Sequence, residues 1–198
     1  MTANSENREL RDRLDLIESM IAEGRRSTER WGWVFVLWGV AYYVAIFWTS
    51  MAHSRLAWPV TMIAAVLLTW GMLVRKGTRR PATTMSRAIG AVWIAMGAST
   101  FILLMSLGLS GRIDEHIEVA AIAAMLAVAN AASSLILRWK LQFACAVVWW
   151  VATVYGCFGS GHLVGISFLA AIFVCQIAFG AYMMICESRG HRRGAVHA

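Results

Sequence analysis

The sequence predicts an all-α fold: a six-helix transmembrane bundle preceded by an amphipathic cytoplasmic helix. Two observations set the bundle. No Lys, Arg, Asp or Glu occurs in 31–54, 56–74, 88–111, 119–137 or 141–186. A helical crossing of a bilayer takes about 20 mainly apolar residues, so the last stretch accommodates two. The composition agrees, with 59% hydrophobic residues and a mean hydropathy of +0.61. A third observation sets the leading helix: Leu10, Leu14, Ile17 and Ile21 recur at spacings of four, three and four, the period of a single helix face.

The elements follow in order. Residues 1–30 form a cytoplasmic amphipathic helix with seven acids and six bases. Glu9 and Arg13 stand four apart, a placement that adds a few tenths of a kcal/mol to an exposed helix. Gly24 and the polar cluster through Arg30 predict a break or hinge before the membrane domain, 31–186. Its first span, about 31–52, has Trp31 and Trp33 at one end and Trp48 at the other, as an aromatic belt requires. Pro59 opens the second span, in a first turn where its missing N–H costs little. Spans three to six follow at about 88–109, 117–137, 141–158 and 163–186, with Gly159, Ser160 and Gly161 turning the last pair. Residues 187–198 form a basic cytoplasmic tail. Small residues crowd the fourth span, Ala120 to Ala132, and place it at the bundle centre because they allow close helix approach. Trp38-Gly39-Val40-Ala41, Met96-Gly97-Ala98-Ser99 and Trp150-Val151-Ala152-Thr153 occupy similar depths and suggest three repeated helical hairpins, an arrangement related to the parallel repeats of transporters.

Orientation comes from the bases between spans. Alternate segments, including both terminal ones, hold 16 Lys and Arg, and the other three hold only Arg55 and Arg112. Short basic loops remain in the cytoplasm, so both termini are expected there, in a bacterial-type inner membrane. The pI of 9.8 then reflects topology and anionic headgroups, and nucleic acid is not an expected partner. Residues 1–30 lack the charged-then-apolar form of a cleaved leader. Cys145, Cys157, Cys175 and Cys186 include no CxxC pair and read as small membrane-embedded hydrophobes.

The chemistry is defined largely by exclusion. Ions and protons are moved across membranes by ionisable groups held at depth despite their cost. None occurs here, which counts against proton-coupled pumps, cation antiporters and voltage sensors. Asn130 and Gln176 are the amides at membrane depth and the candidate ligand-binding residues, against the alternative of an interhelical hydrogen bond worth about 0.6 kcal/mol. His53, His116 and His162 fall one in each outer loop; brought together, their neutral nitrogens could hold a metal or a haem. Leu10, Leu14, Ile17 and Ile21 are the candidate partner-binding stripe, facing a cytoplasmic protein or a second copy in a homo-oligomer.

One resemblance is partial. Arg79-Arg80-Pro81, Ser160-Gly161-His162 and Ser188-Arg189-Gly190-His191 look like pieces of the three-part signature of the PAP2-type lipid phosphatases. In that family basic residues hold a phosphate that a histidine attacks, all on one side of the membrane. Here an odd number of spans separates the middle piece from the other two. An intramembrane serine protease is likewise unsupported, since no histidine lies inside a span to act as base for Ser160. No catalytic residue is assigned. The expectation is a non-enzymatic regulatory or accessory subunit that contacts a partner or itself through its N-terminal helix. The alternative is a small oligomeric transporter or channel for an uncharged or hydrophobic solute.

Overall fold

The computed structural model describes residues 2–53, 56–76, 84–111 and 114–196; Arg55, Arg79, Arg80, Pro81 and Arg112 lie outside the described residues. Seven helices account for nearly all of the described chain: α1 (Thr2–Glu29), α2 (Gly32–Ala52), α3 (Ala57–Lys76), α4 (Thr84–Leu109), α5 (Glu115–Leu137), α6 (Lys140–Phe158) and α7. The last begins at Gly161–Ile172, widens into a π-helical segment at Phe173–Ala178 and resumes as Phe179–Val196. Six of them, α2 to α7, are long and apolar enough to cross a membrane. The chain is a multi-pass membrane protein.

The charge-free runs mark these helices because charge is what a bilayer rejects, but a helix does not end where its charges begin. Accordingly α4 starts at Thr84 rather than 88, and α7 continues past Glu187 to Val196. Asp114 caps α5 by accepting from the backbone N–H of Ile117 at 2.8 Å, which satisfies one of the free donors of the first turn.

Gly24 is not a hinge. The helix runs through it to Glu29 and breaks only at Arg30 and Trp31. A glycine inside a helix costs about 1 kcal/mol, and packing explains why it stands here. A Cβ at Gly24 would come within 2.7 Å of Met85 Cγ and 3.1 Å of a Leu137 methyl. The missing side chain lets α1 press against the adjoining ends of α4 and α5.

Within the bundle α3 packs on α2, α2 on α7, α7 on α6, α6 on α5 and α5 on α4. The broadest pairing is α5 with α6, and α5 is the most buried span, with half of its most apolar stretch enclosed. That is the central position its alanines predict. By contrast the apolar stretch of α4 is almost wholly exposed at the surface of the bundle. Phe35 of α2 closes the interior against Trp93 of α4 and Phe179 of α7, edge to face, at 5.0 and 5.6 Å between ring centroids. A close crossing joins α2 to α7, where a Cβ on Gly32 would lie 2.7 Å from the carbonyl oxygen of Gly180, and one on Gly180 would lie 2.7 Å from that of Gly32. The three similar tetrapeptides occupy unlike surroundings. Gly39 packs on α7 beside Gln176, Gly97 has nothing within 4 Å of its Cβ position, and Val151 is exposed.

Candidate functional site

Two features stand out from lipid-facing helix and packed core. The first is α1, a helix of 28 residues. Its apolar stripe is longer than the four residues that predict it, because Gly24 and Thr28 continue the same face and are buried. That end is fastened to the bundle. Arg25 Nη2 donates to the Arg138 carbonyl at 2.8 Å, while Thr28 Oγ1, within the helix itself, donates to the Gly24 carbonyl at 3.0 Å. The Arg25 guanidinium lies 5.8 Å from the centre of the Trp139 ring, which in turn leans on Phe179 at 5.5 Å. Arg138 adopts a left-handed conformation at the end of α5, the usual place for a helix-ending residue of positive φ, and Arg25 satisfies its carbonyl.

Beyond that anchor the stripe is bare. Leu10, Leu14 and Ile17 are 53%, 61% and 51% exposed, while Ile21 is half-buried. Leu16 and Met20 are exposed on the adjoining face and widen it; their four-residue spacing is the signal the sequence offers for them. The flank carries an exposed ion pair, Arg13 to Glu9 at 2.6 Å, of the kind that adds little to stability.

The second feature is a buried polar layer in α5, α6 and the π segment of α7. Asn130 is fully buried; its Nδ2 donates to the Leu126 carbonyl of its own helix at 2.8 Å, and its Oδ1 has no partner among the described residues. Gln142 is fully buried too, and neither its Oε1 nor its Nε2 has a partner among the described residues. Trp149, also fully buried, adds an unpaired Nε1. The hairpin register relates them. α5 and α6 run antiparallel from the turn at Arg138 and Trp139, with Ala120 packed on Gly156 farther along. Asn130 is thereby placed level with Ala146, about one helical turn from both Gln142 and Trp149. Cys175, in the π segment, donates through Sγ to the Cys145 carbonyl at 3.5 Å, which brings the wide turn of α7 to the same level. Gln176 follows it and is 2% exposed. Ser133 receives the indole N–H of Trp93 at 3.1 Å. Buried polar groups without partners cost about 1–3 kcal/mol each, and π segments concentrate at functional sites.

Gln142 and Trp149 belong to this layer, although neither is expected from the sequence to lie in a site. Gln142 stands two residues from Lys140 and so reads as an interfacial residue. The signal that locates both is periodicity: Gln142, Cys145, Ala146, Trp149, Ala152 and Gly156 recur as one face of α6, and all are buried.

The three outer histidines have separate surroundings in the structure. His53 ends α2 in a left-handed conformation and is exposed, as is His162 in the first turn of α7. His116 Nδ1 lies 3.0 Å from the Gly156 carbonyl oxygen, a contact that fastens the far end of the α5–α6 hairpin. Among the described residues no group of three or more His, Cys, Asp or Glu is placed to hold a metal. Compared with known protein families, curated proteins and solved structures, the chain matches none.

Proposed function

We propose that the protein is a non-enzymatic regulatory or accessory subunit of a membrane assembly, and that the free half of α1 is its contact with a protein partner or a second copy. One observation carries the reading: a single helix face is buried at Gly24 and Thr28 and exposed at Leu10, Leu14 and Ile17. A surface helix drawn to anionic lipid is usually rich in Lys and Arg, whereas α1 carries seven acids against six bases to Arg30. Partner contact through the stripe is the better use of such a face, with both termini on the cytoplasmic side as the distribution of bases predicts.

Leu14→Asp combined with Ile17→Asp tests it. Both side chains are exposed, so folding stability should change by no more than about 0.5 kcal/mol for each. Burying a Leu or Ile is worth about 1.5–3 kcal/mol, so association should weaken more than about tenfold. Pull-down from native membranes and oligomer size in detergent are the readouts. An unchanged complex would remove the reading.

A second reading, a small transporter for an uncharged solute, is supported by the unpaired amide atoms of Asn130 and Gln142 at the bundle centre. Asn130→Leu with Gln176→Leu should then abolish solute flux into liposomes. Flux that survives both changes would make these residues packing groups.

A further inference from the structure

Where α1 leaves the bundle it roofs an open apolar groove of about 470 Å³. Ile17 and Ile21 of α1 line one wall, Met85 of α4 and Leu135 and Ile136 of α5 the other, and Arg138 stands at the lip. Leu135 is 70% exposed although it belongs to the most enclosed span. It lies in the last turn of α5, three residues before Arg138, where the charge pattern predicts that hydrocarbon gives way to headgroups. The groove is thus continuous with the lipid phase at one end and basic at the other.

The charge at that lip is Arg138, whose side chain is exposed. Arg25 adds a guanidinium whose Nη2 is fixed 2.8 Å from the Arg138 carbonyl oxygen and whose Nε is buried without a partner. An apolar slot that opens toward a leaflet beside two guanidinium groups, those of Arg138 and Arg25, fits one chemistry, an acyl chain attached to a phosphate. Basic pockets between transmembrane helices take anionic headgroups in this way, and Arg offers phosphate a planar fork of donors. We infer that the groove between α1 and the ends of α4 and α5 binds an anionic glycerophospholipid, its acyl chain along Leu135 and Ile136 and its phosphate at Arg138 and Arg25. The lipid would brace the root of α1 against the bundle. The groove shares Ile17 with the partner proposal, whose surface otherwise lies farther out at Leu10 and Leu14, so Leu14→Asp alone separates the two.

The test uses the full-length protein in detergent, offered phosphatidylglycerol and phosphatidylcholine with identical acyl chains, with bound lipid read by native mass spectrometry. The anionic lipid should be retained at least about fivefold better, the preference one basic residue gives near a headgroup. Arg138→Gln should erase most of that preference, and Arg138→Lys should keep it, which separates loss of charge from loss of fold. Leu135→Trp, at an exposed position, should block the slot and reduce retention of both lipids. Leu14→Asp should change neither. Equal retention of the two lipids by the unaltered protein would overturn the inference, as would a preference indifferent to Arg138→Gln or retention indifferent to Leu135→Trp.

Discussion

Gly32→Leu is expected to destabilise the bundle severely for a single substitution, by about 1–3 kcal/mol or beyond. The added side chain would meet the Gly180 carbonyl oxygen, Met183 Cβ and the Met184 backbone nitrogen, all within 3.0 Å of its first carbon. Two of these are backbone atoms, which cannot swing aside as the end of a side chain can. The α2–α7 crossing would have to widen, and Phe35, packed on Phe179 at the same crossing, would lose contact as it did. Gly97→Leu provides the control. Nothing lies within 4 Å of its Cβ position, and exchanging a helical glycine for a good helix former gains up to about 1 kcal/mol. Thermal unfolding in detergent should therefore move down for Gly32→Leu and stay or move up for Gly97→Leu. Equal shifts would mean that the α2–α7 approach is not tight.

Gln142→Met is expected to act in the opposite direction and raise stability by about 1–3 kcal/mol. Both polar atoms of the Gln142 side chain are buried without partners, and that is the penalty such atoms carry. Methionine is close in size and flexible enough to fill the same space. Asn130→Leu should gain less, because Asn130 already places its Nδ2 on the Leu126 carbonyl. The measurement is again thermal unfolding, run beside an assay of partner association and of solute flux. Residues that disfavour folding persist where they serve activity, so a stabilised Gln142→Met protein that fails in either assay would identify which role the polar layer serves. A protein destabilised by Gln142→Met would show that the amide is satisfied in the folded state.

Most of the architecture was legible because bilayer solvation acts on composition. A run without charge specifies a crossing helix whatever its neighbours do, and the five charge-free runs yielded the six membrane-crossing helices. The alanines of α5 likewise announced close packing. Tertiary detail was less accessible. Gly24 resembles a helix breaker until Met85 and Leu137 are seen against it. The π segment at Phe173–Ala178 carries no local mark, since its extra residue is accommodated through packing on α2 and α6. Gln142 lies only two residues from Lys140, yet α6 turns it into the interior. For α1 the period of four residues located the stripe, but only the structure divides it into an anchored end and a bare one.

The attachment of α1 at one end has a mechanical consequence. Leu10 stands about 20 Å along the helix axis from Gly24, so the docked turn serves as a fulcrum and the free segment as a lever arm. A tilt of about ten degrees at the fulcrum would carry the tip about 4 Å sideways, a displacement of the order of one helical turn. Force applied at the tip would be delivered, magnified, to Arg25, Trp139 and Phe179, and from there to the wide turn of α7.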